Sequence, residues 1–378
     1  MFDYETLRMI WWLFLGVLLI GVAVTAGFDL GAAVLLPIVG KTDTERRVVI
    51  NSVAGTWEGN QVWFVTAGGA LFAAFPFAYS LAFSGFYLAM LLTLSALIVR
   101  PLGFDYRSKL PCERWRSSWD KALVFGGFVP ALIFGVAFGN LLQGVPFHFD
   151  NELRSFYDGS FFALLNPFAV LCGLVSVSML LMHGAVFLQY KTEGAIQQRC
   201  TTLIMIFAIV TLVLFAVAGV WVANSEGYFI SSTMAHDLPS NPLLKTVEKQ
   251  TGAWLVNYYH QPLLIIAPSL AFIAGALTVF FSKRQCLKTA FLSSSLMLAG
   301  IIFTAGGSMF PFLIPSSNYP NHSLTIWDAS SSQSTLKIMV LVTLFFLPIV
   351  ITYTSWVFRV LSGKVTENFI QQHDHTVY

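Results

Sequence analysis

Two carboxylates, two side-chain amides and one guanidinium occur where this chain is otherwise apolar. Glu58, Asn60 and Gln61 belong to Thr56-Trp57-Glu58-Gly59-Asn60-Gln61-Val62-Trp63, Asp29 lies in Ala26-Gly27-Phe28-Asp29-Leu30-Gly31, and Arg100 opens Arg100-Pro101-Leu102-Gly103-Phe104-Asp105-Tyr106-Arg107. Ionisable groups beside hydrocarbon are costly and mark ion or proton pathways by default. Carboxylates can pass protons, amides can hold water between them, and a guanidinium can act as a fixed counter-ion. The indoles of Trp57 and Trp63 are interface anchors. Group-transfer chemistry has no support: no phosphate loop, no Ser-His-Asp order and no metal-ligand spacing occurs.

Each residue also has a plainer reading. Asp29 follows a long apolar run and lies roughly a third of the way in from one membrane face. It is either part of a proton or ion pathway, or a single hydrogen-bonded carboxyl on a packing seam, because Gly27 and Gly31 at i, i+4 admit a neighbouring helix. Glu58 either shares a polar mouth with Asp29, with water held by Asn60 and Gln61, or simply suits the positive end of a helix dipole. Arg100 is either a counter-ion for these carboxylates or an ordinary cytoplasmic anchor. Asp328 and the serines of 323–333 read as caps for the last long helix.

Histidine argues against haem on this chain. His148, His236, His260, His322, His373 and His375 fall in loops or the tail, and only His183 lies in a span, beside Met179 and Met182. It reads as a satisfied core residue rather than an axial ligand.

The elements that must position these groups are membrane helices. The 378 residues are 56% hydrophobic and 11% charged, with a mean hydropathy of +0.71. A soluble domain carries roughly 25% charged residues, so a polytopic all-α membrane protein follows. A span needs about 20 apolar residues. On that basis nine are expected, near 9–38, 57–75, 79–99, 122–143, 162–189, 201–223, 262–282, 289–310 and 335–358, in one membrane domain. Two four-helix bundles plus one peripheral helix suit that number. Residues 41–55 read as a surface helix capped by Thr42 or Asp43.

Sixteen of the 21 Lys and Arg fall in the connections 39–56, 100–121, 190–200, 283–288 and 359–364. This bias puts the N-terminus outside and the C-terminus in the cytoplasm. The outer connections 224–261 and 311–334 are long enough to cover something. Cys112, Cys200 and Cys286 fall at loops assigned to the cytoplasm, and with Cys172 they make no CxxC pair. No basic stripe suggests nucleic acid. Thr66-Ala67-Gly68-Gly69 recurs as Thr304-Ala305-Gly306-Gly307, but the flanking motifs are not in the same order.

The motifs quoted above, with Gly139-Asn140-Leu141-Leu142-Gln143-Gly144-Val145-Pro146-Phe147 and Trp327-Asp328-Ala329-Ser330-Ser331-Ser332, together resemble subunit II of the cytochrome bd-type quinol oxidases over essentially the whole chain. The resemblance implies a bacterial inner-membrane complex that oxidises a quinol at the outer, periplasmic face and reduces dioxygen to water. It implies a partner, subunit I, that carries two b-type haems and a haem d, and one or more small single-helix subunits. It implies that this chain holds no haem, pairs through its first spans and can hold a structural ubiquinone in a lipid-facing groove. Carboxylates matching Asp29 and Glu58 are associated with a cytoplasmic proton route. The sequence departs from the family pattern at Ala26, where an acidic residue is expected, and at Glu58, where Asp is expected. The rival reading is a proton- or ion-coupled secondary transporter, which the weak repeat and regular packing glycines do not favour.

Overall fold

The structure is a computed structural model that describes residues 2–234 and 236–372. His373 and His375 lie outside the described residues. Helix α1 (Tyr4–Val39) starts where the Asp3 carboxylate accepts the Thr6 N–H at 2.9 Å. At about 1.5 Å per residue its length exceeds the hydrocarbon core. Helix α2 (Asp43–Ala54) is the expected surface helix. Its N-cap is Thr42, in a reciprocal capping box with Glu45.

The next three helices are α3 (Trp57–Ala74), α4 (Pro76–Gly85) and α5 (Tyr87–Arg107). The expected span 79–99 therefore differs in two ways. It is broken at Phe86, and its second part runs two turns further, through Pro101. Arg100 does not close the helix but lies inside it. Hydropathy ends a span at its first charge, whereas this guanidinium is buried against other helices and the backbone continues past it.

The remaining helices are α6 (Glu113–Gln143), α7 (Pro167–Lys191), α8 (Gly194–Asn224), the single turn α9 (Val256–His260), α10 (Ile266–Lys283), α11 (Leu287–Met309), α12 (Gln333–Val360) and α13 (Glu367–Gln372). Helix α8 contains Cys200, which is buried within it rather than in a loop. Among the described residues eight helices are long and apolar enough to cross a membrane. The remaining expected span coincides with α3, whose 18 residues carry Glu58, Asn60 and Gln61 in their first two turns.

Helices α1, α3, α5 and α6 pack as one group, and α7, α8, α10 and α11 as another, with α12 leaning on α1. The groups meet where α7 packs against both α6 and α1. A Cβ on Gly31 would sit 2.1 Å from the Leu180 carbonyl oxygen, and one on Gly184 would sit 2.7 Å from the Gly31 backbone. The expected small-residue seam thus serves the α1–α7 crossing, with backbones in contact.

The basic connections gather at one end through ion pairs. Asp43 takes Arg107 at 2.9 Å and Arg116 at 2.8 Å, and Asp120 takes Arg107 at 2.5 Å and Arg46 at 2.8 Å. Glu45 takes Arg199 at 2.8 Å. The Lys191 ammonium donates to the carbonyls of Leu361 and Gly363 and ties down the segment before α13.

The opposite end carries what hydropathy could not show: three small antiparallel pairs. They are β1 (Phe147–Phe149) with β2 (Ser155–Tyr157), β3 (Glu226–Ile230) with β4 (Val247–Thr251), and β5 (Phe312–Ile314) with β6 (Leu324–Thr325). Each strand is only two to five residues long, which leaves too few alternating positions to stand out. A buried Arg8 joins this cap to α1. Its guanidinium donates to Ser330 Oγ at 2.7 Å, Leu238 O at 3.0 Å, Ser240 Oγ at 3.1 Å and the His236 carbonyl, and lies 3.6 Å over the Tyr4 ring. Asp328 is not a helix cap. Its Oδ1 accepts the Thr325 N–H at 2.8 Å, its Oδ2 lies 2.7 Å from Lys245 Nζ, and Ser332 caps α12 instead. Burial pushes the Asp328 carboxyl up and the Lys245 ammonium down from their ordinary values, and each opposes the other's shift.

Candidate functional site

The polar groups singled out from the sequence converge in part. Asp29 is fully buried on α1. Its Oδ2 accepts from Asn60 Nδ2 of α3 at 2.8 Å. Asn60 reaches inward because α3 turns this face to α1, where the Trp63 ring packs against Gly21. A Cβ at Gly21 would stand 2.4 Å from the Trp63 ring, so a glycine is required for that approach. Trp57 is buried and packs on Phe104 of α5 with ring centroids 5.6 Å apart. The two indoles therefore clamp the first turns of α3 between α1 and α5.

Arg100 joins the same junction from α5 and is also fully buried. Its aliphatic arm passes Gly126 of α6, where a Cβ would stand 2.5 Å from Arg100 Cγ. The guanidinium exerts an electrostatic pull on Asp29, and Asp29 on it. No hydrogen bond joins them: Nε, Nη1 and Nη2 of Arg100, Oδ1 of Asp29 and Nε2 of Gln61 are buried without protein partners. Asp29, Asn60 and Arg100 thus form one buried constellation from three helices.

Glu58 is not part of that constellation within this chain. It lies two residues before Asn60, about 200° around the helix, and is exposed on the outward face of α3. The arrangement offers an outward carboxylate at the head of α3 and an inward one behind it, with the amide positions between.

Sequence reasoning missed two features. The first is Gly126, whose missing side chain makes room for Arg100; the Gly126-Gly127 pair was the available signal. The second is an apolar cavity of about 1050 Å³ between the two helix groups. It is lined by Leu30, Phe64, Phe138, Met179, Phe215 and Phe272, among others, with Tyr258 and Ser308 also on its wall. The Tyr258 hydroxyl lies 3.1 Å from Ser308 Oγ. Its walls come from seven long helices, α1, α3, α6, α7, α8, α10 and α11, so no single stretch of sequence announces it.

His183 is fully engaged. Nδ1 is 2.8 Å from Ser294 Oγ, Nε2 is 2.9 Å from the Val24 carbonyl, and the ring stacks on Phe291 at 4.9 Å. Among the described residues no group of three His, Cys, Asp or Glu side chains has metal-binding placement.

Comparison with known proteins adds the following. The family model described as Cytochrome bd terminal oxidase subunit II matches residues 7–361. The chain is 52% identical over 378 residues to a Haemophilus influenzae protein named Probable cytochrome oxidase subunit 2, covering all of both. It is 52% identical over 379 residues to Cytochrome bd-I ubiquinol oxidase subunit 2 of Escherichia coli, again covering all of both. A chain in the solved bd oxidase from Geobacillus thermodenitrificans matches with a TM-score of 0.69 at 17% identity, covering 94% of this chain and 98% of that one. That last likeness is one of fold.

Proposed function

The chain belongs to the family of cytochrome bd terminal oxidase subunit II, and from that premise we propose that it is the haem-free half of its complex and contributes a proton route. As a family member it is a multi-pass subunit of a bacterial inner-membrane quinol oxidase, works beside a subunit I, and belongs to a complex that carries haem. The transporter reading falls away with this membership.

The finer reading is ours. The two b-type haems and haem d sit on subunit I. The engaged ring nitrogens of His183 support this, because haem iron needs a free axial ligand. The His183 ring, with both nitrogens engaged, does not fit that group. Quinol is oxidised at the face that carries the β pairs, which is periplasmic together with the N-terminus; the Arg-rich end and the C-terminus are cytoplasmic. The lysine and arginine bias supports this orientation. Membrane lipid and one or more single-helix subunits cover further exposed helix faces.

The cavity fits a structural ubiquinone. Its wall is almost wholly apolar and suits a prenyl tail, and Tyr258 and Ser308 supply hydroxyls for a polar head. A quinone there supplies packing, and no electron step is routed through it.

The observation that carries the proton route is the buried Asp29 carboxylate, held by Asn60 and facing Arg100. Glu58 collects protons at the outward face of α3 and Asp29 relays them within, with Arg100 as the counter-ion that steadies the ionised form. Protons for oxygen reduction then enter from the cytoplasm, which separates charge without a pump. The test is Asp29→Asn in the purified complex, with quinol oxidase turnover and haem content measured together. Turnover lost with haem retained supports the route. Unchanged turnover removes it, and joint loss of haem and turnover assigns Asp29 to assembly.

A further inference from the structure

Helix α2 leads into α3 through a short turn at Gly55 and Thr56, and Glu58 stands exposed just beyond it. The first turn of α2 is fixed by the ion pairs of Asp43 with Arg107 and Arg116 and of Glu45 with Arg199. The turn at its other end is met by a different part of the chain, the segment that follows α12.

That segment is drawn across the turn at four points. Leu361 lies against Gly55, where a Cβ would stand 3.1 Å from Leu361 Cδ1. The ammonium of Lys191, the buried last residue of α7, donates to the carbonyls of Leu361 and Gly363. The Val365 N–H donates back to the Lys191 carbonyl at 2.8 Å. Ile370 of α13 is 1% exposed and joins the apolar cluster that holds Val48, Val49 and Val53 of α2. Just before the segment, Phe358 of α12 meets Phe28, the neighbour of Asp29, with ring centroids 6.4 Å apart.

The last carbonyls of a helix lack partners within it and carry partial negative charge, so an ammonium suits them. A buried ammonium is costly unless its hydrogen bonds are made. Lys191 therefore binds the chain after α12 to one path, which apolar contacts alone would not specify.

We propose that Lys191 is a positioning residue: it holds residues 361–372 as a strap across the α2–α3 turn and thereby fixes the place of Glu58. The strap stands on contacts within this chain. The role given to Glu58 rests on the proton route proposed above.

The test uses the purified complex with subunit I. Lys191→Met removes the donors and keeps an unbranched side chain. The amides of residues 48–56 should lose protection against exchange, and quinol oxidase turnover should fall on the order of tenfold with haem retained, the scale of a misplaced proton-transfer group. Lys191→Arg, which still donates, should keep most of both. In a Glu58→Gln background Lys191→Met should cause no further loss, because both changes act through one group. Unchanged protection overturns the strap. Lost protection with a turnover loss that multiplies with that of Glu58→Gln overturns the positioning role and leaves the proton route standing. Unaltered turnover in Glu58→Gln alone removes the route and the positioning role together, and the strap is then judged on protection. Where Lys191→Met yields no complex, Ile370→Ser releases the far end of the strap and should loosen the same amides; unchanged protection there overturns it equally.

Discussion

The amide of Asn60 donates to Oδ2 of Asp29 at 2.8 Å, while Glu58, two residues earlier, faces outward. One helix thus divides its polar residues between the interior of this chain and a face left open for something else. Glu58→Gln keeps the size of the side chain and removes its titration. It should lower quinol oxidase turnover by on the order of tenfold or more, the scale of a lost proton-transfer group, while the haem spectrum of the complex stays unchanged. Unaltered turnover would remove Glu58 from the route.

Gly31 is the point of closest approach between α1 and α7. Gly31→Leu forces these backbones apart and should cost about 3 kcal/mol or more, as overpacking does. The check is thermal melting and yield of the purified complex. Wild-type melting would show that the crossing can relax.

Lys245 and Asp328 are a buried pair in the cap. Removing one partner strands the other charge, at a cost of about 3 kcal/mol, whereas replacing both with apolar residues of similar size is close to neutral. Lys245→Met should therefore destabilise strongly, and Lys245→Met with Asp328→Asn, which removes the stranded charge and keeps an acceptor for the Thr325 N–H, should recover most of the loss. A double mutant no more stable than the worse single mutant would contradict this.

The His322 imidazole accepts the Phe149 N–H through Nδ1 at 2.9 Å. Burial, helped by the charges of His148 and Lys245, pulls its pKa below the ordinary value. A depressed folded-state value means the contribution of His322 is fully present above the unfolded value of about 6.5 and is lost as pH falls through the lower folded one. The β1–β2 pair should loosen on acidification, seen as a lower protection factor of the Phe149 amide relative to its intrinsic exchange rate at each pH. His322→Gln should flatten that dependence.

Asp120 accepts from Arg46 and Arg107 at the basic end. Asp120→Asn keeps the shape and removes the charge. With Asp43 still bound to Arg107, the loss should be about 2 kcal/mol. Melting of the complex measures it, and the α2 region should be the first to exchange its amides.

Much was legible from composition and period alone. A charged fraction of 11% over 378 residues leaves no water-facing surface for a soluble domain, so the membrane class and the approximate spans followed. Asp29 and Arg100 also stood out, because a charge in an apolar run is visible without any fold. What the sequence left open was contact. Glu58 and Asn60 are two letters apart, and only the rotation of α3 against α1 decides that one faces Asp29 and the other faces out. Arg100 read as the end of a helix because a one-dimensional count cannot know that Gly126, 26 residues later, offers a notch that buries it. Likewise Asp328 read as a cap until Lys245, from another loop, was brought to 2.7 Å. Hydropathy is a property of single segments, so segments could be read from it. Hydrogen bonds, ion pairs and cavities belong to pairs of segments, and packing alone settles which pairs meet.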